Sequence, residues 1–205
     1  AVDGLDLTVR QGELFALLGV NGAGKTTTLR MLSGLLQPTG GEADILGFRL
    51  TQQPQEIKRR INLSPQETAV APNLTVRENL ELIAGIYGAS RREAAQRAAE
   101  TIAEFHLGEV ERSRAKTLSG GWQRRLSIAM ALISQPQLVF LDEPTLGLDV
   151  LARRELWQVI RSLRGRVTVI LTTHYFRPHR HPVARQAAYL RHGAGAVRRG
   201  GRDAL

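Results

Sequence analysis

Apolar residues along this chain follow two patterns. Short unbroken runs stand at Leu14-Phe15-Ala16-Leu17-Leu18, Leu138-Val139-Phe140-Leu141 and Val167–Thr173. Runs this short, without alternation, read as strands buried on both faces. Arg60 to Leu63 is a further strand candidate. Residues 68–116 read mainly as helix. There Glu78–Tyr87 carries Leu80, Ile83 and Ala84 at helical spacing, and Arg91–Phe105 carries Ala95, Ala98, Ile102 and Phe105. Core packing explains most of these positions. No run approaches the ~20 apolar residues of a membrane-spanning helix, so any membrane part is expected to come from a partner. A length of 205 residues suits one domain with a good core.

The connection after the first strand candidate adds chemistry. Gly19-Val20-Asn21-Gly22-Ala23-Gly24-Lys25-Thr26 fits G-x-x-x-x-G-K-[ST], the phosphate-cradling P-loop. Several backbone N–H groups can point at phosphate oxygens only where side chains do not intrude, which Gly19, Gly22 and Gly24 allow. Thr27 to Leu32 then opens a helix whose N-terminus faces the anion. Lys25 is expected to reach the β- and γ-phosphates and the Thr26 hydroxyl to bind Mg²⁺. Asn21, Ala23 and Thr27 complete the cradle. A chance glycine turn is the bland alternative, and strand, loop and helix in this order argue against it.

Asp142-Glu143 closes the second strand candidate. In open α/β sheets, ligands bind beyond the carboxyl ends of the strands, so both carboxylates are expected near the P-loop. Asp142 reads as the Mg²⁺ partner, through water, because Mg²⁺ keeps much of its hydration shell. Glu143 reads as the group that polarises an attacking water. His174 closes the third strand candidate and is expected to face the γ-phosphate. Gln66, in Leu63-Ser64-Pro65-Gln66-Glu67, is a weaker candidate for contact with Mg²⁺ or that water.

Leu118-Ser119-Gly120-Gly121-Trp122-Gln123, ahead of the acidic strand, resembles the signature of the ATP-binding cassette (ABC) ATPases. The resemblance spans roughly residues 1–174 in the order such domains use. Gly19–Thr26 resembles Walker A, Gln66 the Q-loop, Leu138–Asp142 Walker B and His174 the switch histidine. Gly147-Leu148-Asp149 resembles the D-loop, with Val150 where Pro is common. The resemblance implies an α/β P-loop NTPase core with a mainly parallel sheet, an N-terminal antiparallel β portion and a helical subdomain at about 68–116. It implies an ATPase that takes ATP and Mg²⁺. Two cassettes would pair head to tail, with Ser119, Gly120, Gly121 and Asp149 of one meeting the nucleotide of the other. A membrane-spanning permease subunit would dock on Gln66 to about Tyr87, at the inner face of the cell membrane. Gly40-Gly41-Glu42, Thr75–Leu80 and Thr172–Tyr175 favour the drug-exporter side of the family.

The ends depart from the family. A strand and an adenine-stacking aromatic are expected upstream of Asp6–Arg10, itself similar to an internal strand, so the N-terminus reads as truncated. After Tyr175 the family continues with an acidic helix, whereas this chain has two prolines between Phe176 and Pro182. Compensating frame shifts or a local sequencing error would produce such a segment. The net charge of +9 owes much to residues 177–205, which hold seven Arg and one acid. Without interleaved aromatics this excess does not predict nucleic-acid binding. His174, His179 and His181 lie on a Pro-interrupted stretch that suits a metal site poorly. Ser119, His174 and Asp149 as a hydrolase triad explain less than the P-loop does. Two alternatives remain: an inactive damaged cassette, and an ABC-type ATPase acting on nucleic acid or ribosomes. The second usually carries two cassettes or a long coiled coil, and no heptad run is present.

Overall fold

The structure, a computed structural model, describes residues 2–174, 186–191 and 194–200. Two compact units divide the chain: Ala1–Leu63 with Gln137–Glu143 and Leu163–Leu205, and Ser64–Pro136 with Pro144–Ser162. In chain order the elements are β1 (Leu14–Leu18), α1 (Lys25–Leu32), β2 (Asp44–Ile45), β3 (Phe48–Arg49), α2 (Pro54–Lys58) and β4 (Ile61–Ser64). They continue with α3 (Val76–Ile86), α4 (Arg91–Glu104), α5 (Gly120–Leu132), β5 (Leu138–Leu141), α6 (Val150–Ser162), β6 (Thr168–Thr173), β7 (Gln186–Arg191) and β8 (Ala194–Gly200).

A six-stranded sheet runs in the order β4-β5-β6-β1-β7-β8. The pairs β5/β6, β6/β1 and β1/β7 are parallel, and β7/β8 is antiparallel. The α/β class with a mainly parallel sheet is therefore as expected. All five residues of β1 are buried, because β6 and β7 pair with its edges and side chains cover its faces. Burial on both faces is why the run is unbroken rather than alternating. Phe15, Leu17, Phe140 and Ile170 form a core with Leu29, Ile45 and Ile57. Burying each such side chain contributes about 1.5–3 kcal/mol.

Leu5, Leu7 and Val9 are half-buried while Asp6, Thr8 and Arg10 are exposed, and Leu7 and Val9 pack on that core. The strand-like alternation is thus real, yet the segment joins no ladder among the described residues. Alternation reports which face is covered, not whether a neighbour supplies hydrogen bonds. The unusual stretch 176–182, with His179 and His181, lies outside the described residues. Among the described residues no helix is long and apolar enough to cross a membrane.

Helices α3 to α6 belong to the second unit. In α4 the covered face is Ala94, Ala98, Thr101 and Ile102, with Ala95 only half-buried. In α3, Asn79 is fully buried and ties down the preceding loop. Its Oδ1 accepts from Ala71 N (2.8 Å), and its Nδ2 donates to the carbonyls of Ala71, Leu74 and Thr75. The first-turn N–H groups of α3 are also satisfied. Val76 N donates to Ser113 O, Arg77 N to Glu111 O, and Glu78 N to Thr75 Oγ1. The Arg77 guanidinium lies 2.6 Å from the Glu111 carboxylate, which raises its pKa.

Capping boxes start both α3 and α4, at Thr75/Glu78 and Ser90/Glu93. The backbone N–H and then the hydroxyl of Thr75 hold the Glu78 carboxyl below its ordinary pKa. For Glu93 the Ser90 hydroxyl leads and its N–H follows. A carboxyl depressed in the folded state adds stability above its unfolded pKa and loses it as pH falls through the folded one. Thr75→Ala should lower the free energy of urea unfolding by about 1 kcal/mol at neutral pH. Its deficit against the parent should shrink on acidification through the pKa of Glu78. A deficit independent of pH would remove the carboxylate from the account.

Candidate functional site

The carboxyl ends of β1, β6 and β5, consecutive across the sheet, build one cluster. After Leu18 the chain turns through Gly19–Gly24, with Ala23 N donating to Val20 O (3.2 Å). Gly24 is the N-cap of α1 at φ 90°, and no side chain caps that helix. Its first-turn N–H groups are thus left for an external acceptor. Gly19 is required for another reason: a Cβ there would stand 2.8 Å from the carbonyl oxygen of Leu190 in β7. Asn21 and Gly22 are exposed at the crown of the loop, Ala23 is buried, and Thr26 and Thr27 are half-buried. Lys25 is buried and arches back, its Nζ donating to Gly19 O (2.8 Å) and Val20 O (3.2 Å).

Asp142 and Glu143 are 4% and 7% exposed. Asp142 Oδ1 accepts from Thr26 Oγ1 at 3.1 Å and from Thr172 Oγ1 at 2.6 Å. Glu143, two residues past the end of β5, is in a left-handed conformation, φ 45°. Its N–H donates to the same Thr172 hydroxyl at 2.8 Å. Its carboxylate is shared, Oε1 lying 3.4 Å from Lys25 Nζ and Oε2 2.9 Å from His174 Nδ1. A carboxylate only accepts, so Nδ1 is the protonated ring nitrogen in this pair. Lys25, Thr26, Asp142, Glu143 and His174 are thereby brought together. Thr172 is a missed residue. Its signal was a hydroxyl inside a buried apolar strand, two positions before His174 and so on the same face.

Gln66, Ser119, Gly120, Gly121 and Asp149 lie in the second unit and take no part in these bonds. Gln66 is exposed, and its carbonyl accepts from Arg124 Nη1 at 3.3 Å. Ser119 is the N-cap of α5, yet its side chain makes no capping bond. Gln123, another residue without an assigned role in the sequence, shapes the turn ahead of it. Its Nε2 donates to Ala115 O (3.0 Å) and Leu118 O (3.3 Å). A Cβ on Gly120 would meet nothing, whereas one on Gly121 would stand 3.1 Å from Ala152 Cβ in α6. Trp122 stacks on the Arg125 guanidinium, which lies 2.5 Å from Glu155. Asp149 Oδ1 accepts from Leu151 N and Ala152 N, both at 2.9 Å, a cap for α6.

Among the described residues no group of three His, Cys, Asp or Glu side chains could hold a metal by itself. A hydroxyl beside one carboxylate, next to a phosphate cradle, does fit Mg²⁺, which relies on water and substrate oxygens.

A glycine turn between a buried central strand and an uncapped helix, with an acidic pair two strands away, defines the P-loop NTPase class. The ABC transporter family model matches residues 2–146, and the chain belongs to that family. It is 43% identical over 193 residues to the daunorubicin/doxorubicin resistance ATP-binding protein DrrA of Streptomyces peucetius, covering 94% of this chain and 58% of that protein. To the phospholipid-transporting ATPase ABCA3 of Homo sapiens it is 41% identical over 175 residues, covering 85% of this chain and 10% of that one. A solved dimeric ATP-binding cassette, in a post-hydrolysis state with ADP and Pi, superposes with a TM-score of 0.85. Its identity is 28%, over 98% of this chain and 91% of that one. The chain thus spans a little over half the length of the first relative.

Thr172→Val keeps the shape but strands the buried Glu143 N–H. It should lower stability to urea by about 1–3 kcal/mol, and Thr172→Ser, which keeps the hydroxyl, should lose less. Equal losses in the two variants would show that packing alone is at stake.

Proposed function

We propose that this chain is the ATP-binding and ATP-hydrolysing subunit of an ABC membrane exporter of drugs or other small molecules. The observation that carries the reading is the Glu143 carboxylate, held between Lys25 and His174 at the mouth of an uncapped P-loop helix. In this reading the N–H groups of residues 22–27 and Lys25 bind the triphosphate. Thr26 and Asp142 hold Mg²⁺, whose charge would offset that of the phosphate oxygens. Glu143 accepts a proton from the water that attacks the γ-phosphoryl group, and the bond to the β-phosphate oxygen breaks to give ADP and phosphate. His174 orients Glu143 or the γ-phosphate. Gln66 contacts Mg²⁺ or the water.

Ser119, Gly120, Gly121 and Asp149 act on the nucleotide of a second cassette. Support comes from the missing side-chain cap on α5, which leaves its N-terminus open to an anion. Exposed Leu146, Val150 and Leu151 flank Asp149 and suit a pairing surface. The helical portion at about 68–116 of a single cassette domain receives the permease. Leu82, Ile86 and Tyr87, 46%, 69% and 47% exposed, leave apolar area on α3 for it. Docking there would hold the chain at the inner face of the membrane. The exporter assignment draws on relatives described as drug-resistance ATP-binding proteins.

Light scattering of purified Glu143→Gln tests this directly. The amide cannot act as base, so turnover should stop while Mg-ATP shifts the mass from monomer to dimer. Ser119→Arg added to that variant should abolish the shift and keep ATP binding. Lys25→Ala should weaken ATP binding by at least about tenfold. Normal turnover in Glu143→Gln would sink the base assignment. An unchanged dimer with Arg at position 119 would sink the shared site.

A further inference from the structure

Arg124 stands in α5, five residues after Ser119, and is 4% exposed. Its guanidinium reaches out of the helix to two irregular segments. Nη1 donates to the carbonyl of Pro65 and to that of Gln66, the latter at 3.3 Å. Nε donates to the carbonyl of Pro144 at 3.1 Å. Both prolines lie past strand ends, Pro65 directly after β4 and Pro144 three residues after β5. β4 ends at Ser64 with Pro65 next, and β5 ends at Leu141 with Pro144 closing the Asp142-Glu143 step. These strands are neighbours in the sheet. Proline has no N–H to give, and the carbonyls of these segments, past the last ladder residues, need a donor from elsewhere. A planar guanidinium offers donors at fixed angles and can serve both segments at once.

We infer that Arg124 is a positioning residue for turnover, joining the backbone that carries Gln66 to the residue that follows Glu143. The inference rests on the ATPase reading above. Arg124 acts through these backbone carbonyls. It fixes the two segments from which the candidate base and the candidate sensing glutamine project, and it does so from the helix that begins after Ser119. A shift of α5 therefore pulls on both segments together.

Arg124→Met keeps the length of the stem and removes the donors. Arg124→Lys keeps a charge but has no planar fork to span two segments. Turnover should fall in the order parent, Lys, Met, with the Met variant down by about tenfold and its KM for ATP within about twofold of the parent. Gln66→Ala combined with Arg124→Met should be little slower than the slower single variant, because both act through one loop. Hydrogen exchange gives a readout without turnover. Amides of residues 66–68 and 145–147 should exchange faster in Arg124→Met than in the parent. An inactive parent would defeat the ATPase reading, and exchange would still decide the role of Arg124 in joining the segments. With an active parent, unchanged turnover in a folded Lys or Met variant would overturn the assignment. So would losses that multiply with Gln66→Ala, or unchanged exchange in both segments.

Discussion

Two adjacent carboxylates are buried at the end of β5, and burying like charges side by side is costly unless each receives its own partners. The chain answers that demand group by group. Asp142 takes hydroxyl donors from Thr26 and Thr172, while Glu143 takes Lys25 on one oxygen and His174 on the other. These partners come from α1, β6 and the P-loop, so the elements must meet in the register the sheet provides. Parallel pairing of β5 with β6 and of β6 with β1 brings all three carboxyl ends to one edge. The acidic pair explains why a lysine lies buried against backbone carbonyls, and why a threonine interrupts an apolar strand.

Helix ends obey a second logic. Side chains close the first turns of three helices: capping boxes start α3 and α4, and Asp149 closes α6. At α1, which follows a glycine run, and at α5, which opens on Gly120-Gly121, no side-chain cap is made. Ser119 is a residue type that caps readily, and its side chain still makes no capping bond. Uncapped N–H groups cost little while water can reach them, and they are free for an anion. Asp149 sits in the set expected to meet nucleotide and also serves as a cap, so the same oxygen fixes the start of α6.

Much of this was legible in the sequence. Fully buried strands write themselves as unbroken apolar runs, and β1 and β5 fall where those runs do. The P-loop and the acidic pair are legible because their chemistry depends on residue types at fixed local spacing. What escaped depends on contacts distant in sequence. Thr172 is defined by bonds to residues 29 and 30 positions away, and Arg124 by carbonyls up to 59 positions away. The sequence reads Gly19 as a phosphate-loop glycine, and the structure adds the carbonyl of a strand far along the chain. In α4 the covered face is turned toward Ala94 instead of Ala95 because tertiary packing, not periodicity alone, chooses it.

The strain at Glu143 links these missed residues. A non-glycine residue at φ 45° costs about 1–3 kcal/mol and persists only where its surroundings over-determine it. The backbone is held on both sides of it. Thr172 takes the N–H of Glu143, and Arg124 takes the carbonyl of Pro144. Proline adds its own restraint, since its ring limits the conformations of the residue before it. A carboxylate meant only to neutralise Lys25 would not need its backbone fixed at both ends, because flexible side chains form ion pairs without it. One that must meet a water and a phosphoryl group at a defined place does need it. Both clamps act on the backbone around the base and not on its carboxylate, and both are made by contacts distant in sequence.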